Sequence, residues 1–204
     1  MRLAERIKRL GTETAFAVSA EANALKAAGR TIYPFHLGDM NLATPRTVVQ
    51  GAIEALHQGK TGYCPNGGIP ELREALAQDM NQARRTSYSA DNVAVQPGGK
   101  PVISKFLLST MNPGDEVLYP NPGFPIYESQ IEFLGGSAVP YGFIPTDSGF
   151  QLDLEGMRRS ITPRTRLLIL NDMHNPTGAE CTPEELQSVA DLVLEHDLLV
   201  LADE

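Results

Sequence analysis

Four short segments of this sequence carry residues able to do chemistry on a bound ligand. Pro97-Gly98-Gly99-Lys100 places two glycines before the start of an expected helix. Glycines let backbone approach a ligand closely, and a helix start offers unpaired N–H groups and partial positive charge, which suits a phosphate. It is not a Walker loop, because no glycine stands five positions before Gly99 and no Ser or Thr follows Lys100. A GxGxxG fingerprint is also missing. Pro120-Asn121-Pro122-Gly123-Phe124 sets one aromatic ring where it can stack on a planar heterocycle. In the third segment Asn175 precedes Pro176, which biases it to an extended backbone, and its amide can donate to a phenolate or accept from a hydroxyl. Asp203 ends the apolar run Leu198 to Ala202, where a carboxylate needs a cationic or hydrogen-bonding partner. Each segment alone also has a plain structural reading: a strand-to-helix turn, a core aromatic, a common Asn-Pro turn, an N-cap.

These residues need elements to position them. Apolar residues at helical intervals predict helix over residues 1–30, broken near Gly11 and Thr12. Thr44-Pro45 predicts a helix to about Gln58, with threonine as N-cap and proline at the first helical position. A glycine-rich loop, Gly59 to Gly68, precedes a helix from Ile69 to Arg85. Beyond that, strands alternate with helices. Strands are expected at Val93–Gln96, Asp115–Tyr119, Ser137–Pro140, Arg166–Asn171 and Leu198–Ala202. Helices are expected at Lys100–Thr110, Phe124–Leu134 and from Thr182-Pro183-Glu184-Glu185, a capping box, to His196. Uniformly apolar strands between helices imply an α/β fold with a mostly parallel sheet covered on both faces. Such a sheet holds its ligands at the carboxyl ends of its strands, where all four segments lie.

Composition narrows the function classes. The 204 residues are 42% hydrophobic and 21% charged, enough for a folded core. A net charge of -8 argues against a nucleic-acid partner. Cys64 and Cys181 match no zinc spacing, and the four histidines form no ligand pair on one helix turn, so no metal is expected. No apolar run reaches the ~20 residues that cross a bilayer, and the basic start lacks the apolar stretch of a secretory signal. A cytoplasmic enzyme without a membrane partner is the expectation.

The ordered set Leu37-Gly38-Asp39, Thr44-Pro45, Thr61-Gly62-Tyr63, Gly98-Gly99-Lys100, Pro122-x-Phe124-x-x-Tyr127, Asn175-Pro176-Thr177-Gly178 and Ala202-Asp203-Glu204 resembles the class I and II aminotransferases over essentially the whole chain. The resemblance implies the large domain of a fold-type-I enzyme dependent on pyridoxal 5'-phosphate, incomplete here and preceded by a helical segment of the small domain. It places that segment in residues 1–45 and the cofactor-binding domain in residues 46–204. It implies that Asp203 pairs with the pyridine nitrogen, Asn175 with the phenolic oxygen, and Phe124 with the ring face. Gly98, Gly99 and Lys100 match the phosphate segment, and Gly38 the loop that meets the substrate carboxylate. Tyr63 matches a tyrosine that reaches the partner's phosphate, which implies a homodimer.

The fit has departures. Only Asp39 survives of the usual residues after Gly38, and Pro101 stands where a small or polar residue is expected and offers no N–H. The resemblance also places the lysine that binds the cofactor covalently beyond Asp203, so the chain is expected not to transaminate alone. The implied reaction moves an amino group between an amino acid and a 2-oxo acid. A C–S lyase on the same scaffold and a non-catalytic aminotransferase-like binding domain remain open alternatives. A Rossmann-type NAD enzyme would leave Asn175 and Asp203 unexplained.

Overall fold

The structure, a computed structural model, describes residues 2–11, 14–35, 38, 42–147 and 149–204. Two compact units divide the chain, residues 18–99 and residues 1–17 with 100–204.

The second of these units holds the sheet. Its strands are β1 (Glu116–Pro120), β2 (Ser137–Tyr141), β5 (Thr165–Leu170) and β6 (Leu199–Ala202), in the order β2-β1-β5-β6, all neighbours parallel. Successive side chains of a strand point to opposite faces, and here both faces are apolar. Val117, Tyr119, Leu167 and Ile169 pack with Ile103 and Leu107 of α4 (Gly99–Thr110) and with Tyr127 and Ile131 of α5 (Ile126–Phe133). Leu118 and Leu168 pack on the other face with Met157 of α6 (Leu154–Arg159) and Val189 and Leu192 of α7 (Pro183–Glu195). Parallel pairing with covered faces explains why β1 and most of β5 read as unbroken apolar runs. The capping box at α7 forms with both arms, Thr182 Oγ1 accepting from the Glu185 N–H and Glu185 accepting from the Thr182 N–H.

The register brings three strand ends to one edge. Pro120 pairs with Tyr141, and Leu170 with Ala202, so Asn121, Asn171 and Asp203 each leave the sheet at its carboxyl end. At the opposite end the buried Glu116 accepts from Thr162 Oγ1 (2.6 Å), Thr165 Oγ1 (3.2 Å) and the Arg164 guanidinium (3.0 Å from Nε). The Thr162 hydrogen bond, then Arg164 and Thr165, hold that carboxyl below the usual carboxylate range against the effect of burial. Glu116 therefore anchors the connection into β5 rather than facing the ligand edge.

Unit 18–99 contains most of α1 (Thr14–Ala27), then α2 (Arg46–His57) and α3 (Pro70–Arg84). Residues 93–96 do not form the strand that their apolar pattern predicts. A backbone bond runs from the Val95 N–H to the Gly67 carbonyl (2.9 Å), and the Arg73 guanidinium takes the Val93 carbonyl (2.9 Å), but no ladder forms. An apolar run becomes a strand only where a neighbour supplies a ladder. Thr44 is not the cap of α2 either: Pro45 is the N-cap and no side chain bonds the helix start. Three further elements carry no clear periodicity and emerge only in three dimensions. They are α6 and the antiparallel hairpin of β3 (Phe143–Thr146) and β4 (Gly149–Leu152). The expected N-terminal break at Gly11 and Thr12 follows a 3-10 turn, Glu5–Arg9, although Thr12 itself lies outside the described residues.

Candidate functional site

Asp203 is held at three atoms. Its N–H donates to the Leu170 carbonyl (2.8 Å), continuing the β5–β6 ladder. Its carbonyl accepts from Asn171 Nδ2 (2.5 Å). Its Oδ2 accepts from the Tyr127 hydroxyl (2.5 Å), which reaches it from α5. Burial above all, and then the hydrogen bond to Asp203, raise the Tyr127 pKa, so the phenol stays a donor. One carboxylate oxygen is thus engaged, and among the described residues no hydrogen bond reaches the other.

Phe124, at the turn into α5, lies edge-on to Tyr127 with ring centroids 5.7 Å apart. The Lys100 ammonium stands 5.7 Å above the Phe124 ring, within cation–π range. Lys100 is the second residue of α4, and Gly99 the first. Gly98 has φ +97°, a conformation that favours glycine, and a Cβ at Gly98 or Gly99 would meet open space. The Gly98 N–H is taken by the Gln96 carbonyl (2.9 Å). The outward donors of this turn therefore begin at Gly99, because the first N–H groups of a helix have no intrahelical acceptor.

Asn175 is exposed at the third strand end, and its N–H donates to Asn171 Oδ1 (2.9 Å). The turn around it is fixed by neighbours: the Asp172 carboxylate accepts from the Cys181 N–H (2.8 Å), and the Gly178 N–H donates to the His174 carbonyl (2.7 Å). Burial pushes the Cys181 thiol up to about 12, assisted by the Asp172 and Glu185 carboxylates, so it is no nucleophile near neutral pH.

His174 is buried at 2% exposure, its Nδ1 2.8 Å from Thr177 Oγ1 and its ring against Phe143. Its Nε2 makes no hydrogen bond among the described residues. Burial lowers its pKa below the ordinary 6.5, partly offset by the Pro122 backbone. The folded chain therefore resists a proton that the unfolded chain accepts below about pH 6.5. Stability should fall as pH drops from 6.5 toward the lowered value, and stay level above that window. Urea midpoints at pH 7.5 and 5.5 check this: His174→Asn should flatten the difference, and an unchanged difference would exclude His174 as its source.

The site residues expected from sequence thus form one connected series, from Lys100 through Phe124 and Asp203 to Asn175. Tyr127 and Asn171 supply its links. Gly38, Tyr63 and Gly98 belong to unit 18–99, where the Tyr63 ring is fully exposed. Tyr127 is visible in sequence only as the position three after Phe124, one helical turn on. Asn171 has no signal beyond ending an apolar strand.

The family profile "Aminotransferase class I and II" matches residues 31–204. The chain belongs to this family. It is 35% identical to a probable aspartate/prephenate aminotransferase of Aquifex aeolicus and 37% identical to an aspartate/prephenate aminotransferase of Thermus thermophilus. Each match spans 99% of this chain, against 51% and 52% of the relatives. The fold superimposes on the aspartate aminotransferase from Thermus thermophilus with maleate, with a TM-score of 0.93 and 38% identity, over 100% of this chain and 53% of that one. An alanine aminotransferase from Pyrococcus furiosus gives a TM-score of 0.92 at 26% identity, covering 100% of this chain and 52% of its own. The chain thus spans about half the length of the curated relatives it matches. Among the described residues, no helix is long and apolar enough to cross a membrane.

Proposed function

We propose that this chain forms the cofactor-binding part of a pyridoxal-phosphate-dependent aminotransferase, which moves an amino group between an amino acid and a 2-oxo acid. The observation that carries it is the Asp203 carboxylate, fixed at the carboxyl edge of a parallel sheet with one oxygen bonded to Tyr127. Asp203 is half-buried, and a protonated pyridine ring would give its second oxygen a cationic, hydrogen-bonding partner. The other residues fit the same group. Phe124 offers a ring face, the exposed Asn175 an amide for a phenolic oxygen, and Gly99 with Lys100 a helix start for a phosphate.

When bound, pyridoxal phosphate supplies an electron sink for the bond broken at the substrate's Cα. Asp203 would keep the ring nitrogen protonated, since a nearby negative charge favours the charged form. Tyr127 would hold Asp203 in one orientation. Asn175 would donate to the phenolic oxygen, and the N–H groups at Gly99 and Lys100 would bind the phosphate, with no donor from Pro101. Gly38 would meet the substrate carboxylate. The exposed Tyr63 ring supports reach into a partner's site and hence a homodimer. The relatives named for aspartate support aspartate as amino donor.

The same resemblance places the covalent lysine beyond Asp203, so the 204 residues should bind the cofactor reversibly. Titration with pyridoxal phosphate, followed by induced circular dichroism of the chromophore, should give a saturable signal. Borohydride treatment should then leave no stoichiometric lysine adduct by mass spectrometry. Absence of binding would sink the reading. In the whole enzyme, amino transfer from aspartate to 2-oxoglutarate is expected; pyruvate and ammonia from cystathionine instead would move the assignment to a C–S lyase.

A further inference from the structure

We infer that Asn171 is a positioning residue that sets Asn175 and Asp203 relative to one another; the inference rests on the reading of those two as contacts to the ring's phenolic oxygen and nitrogen. Asn171 directly follows β5 and is half-buried. Its Nδ2 donates to the Asp203 carbonyl at 2.5 Å, and its Oδ1 accepts from the Asn175 N–H at 2.9 Å. A carbonyl needs a donor and an N–H needs an acceptor, so the two partners together fix which end of the amide points where. One rigid, planar group therefore spans two loop ends that leave different strands.

The other holds on Asp203 act on that residue alone. The Leu170 carbonyl fixes its N–H through the strand ladder, and Tyr127 fixes its carboxylate. Asn171 alone of these contacts also reaches Asn175. Two groups that grip opposite sides of one small ring must keep their separation, and errors well under 1 Å weaken such a pair. A residue that only satisfied loop polarity could do so with either bond.

The test compares ligands that differ at the atoms concerned. Dissociation constants are measured on the 204-residue chain for pyridoxal phosphate and three analogues. One has carbon in place of the ring nitrogen, one lacks the phenolic oxygen, and one lacks both. Asn171→Ala should weaken pyridoxal phosphate about tenfold, the effect of losing roughly one good hydrogen bond. It should weaken the doubly stripped analogue by less than about twofold. Asn171→Asp keeps the acceptor for Asn175 but loses the donor to Asp203. Its loss should appear only with ligands that retain the ring nitrogen, and it carries the test if Asn171→Ala fails to fold. Equal losses for every ligand, or none, would overturn the proposal. If the wild-type chain binds no pyridoxal phosphate, the reading of the site fails separately, and amide exchange then decides the link. Faster exchange at Asn175 in Asn171→Ala, with β5 still protected, supports it; unchanged exchange at Asn175 removes it.

Discussion

Asp203→Asn is expected to lower turnover of the whole enzyme by on the order of 10³-fold, the scale seen when one preorganised electrostatic partner is removed. The substitution keeps the shape of the side chain, and its carbonyl oxygen can still accept from Tyr127. What it would remove, if Asp203 faces the ring as proposed, is the negative charge that would hold a pyridine nitrogen protonated, and with it most of the ring's capacity to accept electrons. Affinity for pyridoxal phosphate should fall less, by about tenfold, because the proposed phosphate and ring-face contacts would persist. Steady-state kinetics with aspartate, paired with a cofactor titration, separates the two. Turnover within a few-fold of wild type would show that Asp203 does not face the ring nitrogen. Folding should be nearly unaffected, since the Asp203 N–H and carbonyl are held by the Leu170 carbonyl and Asn171 whatever the side chain.

Tyr127 carries the second large effect, and two substitutions divide it. Its ring is 1% exposed and packs with Ile131 and Ile169, while its hydroxyl donates to Asp203. Tyr127→Ala should cost about 3–5 kcal/mol of stability, as for other aromatic truncations in a core. Tyr127→Phe keeps the packing and removes only the donor to an ionised acceptor, a bond worth roughly 1.5–3 kcal/mol. Water can replace that donor in the folded chain, so the melting temperature should change little, while cofactor affinity should fall about tenfold because Asp203 would be less firmly oriented toward the proposed ring. Because burial and Asp203 raise the phenol's pKa, this donor should persist to alkaline pH. Thermal melts and pyridoxal phosphate titrations of both variants provide the check. Equal melting losses for Phe and Ala would mean that the hydroxyl, rather than the ring, supports the fold.

The Tyr127–Asp203 contact connects residues 76 positions apart, and this is where reading from sequence reaches its limit. Local chemistry announces itself locally. The Thr182 capping box, the apolar runs of β1 and β5, and the turn residues after each strand are each written within a few neighbouring positions. The same is true of the helix beginning at Gly99. Elements that depend on a distant partner do not. Residues 93–96 have the composition of a strand but join no sheet among the described residues. The β3–β4 hairpin has little alternation because its strands pair with each other beside the main sheet. Pro45 takes the N-cap position where Thr44 has the better side chain for it, since the cap is set by where the backbone turns helical.

The residues that hold the candidate site divide in the same way. Sequence by itself determined the α/β class, the placement of Phe124, Asn175 and Asp203 after strands and of Lys100 at a helix start, and the family to which those residues point. Each of these rests on residue type and short spacing, which a chain displays without folding. Only the tertiary structure decided that Tyr127 grips the Asp203 carboxylate and that Asn171 ties Asp203 to Asn175. It also decided that His174 lies buried with an Nε2 that makes no hydrogen bond among the described residues. Those are consequences of parallel register, which brings the ends of β5 and β6 side by side, and of α5 packing across the sheet face. Hydrogen bonds between such ends are set by three-dimensional distance, and no local pattern in the chain encodes that distance.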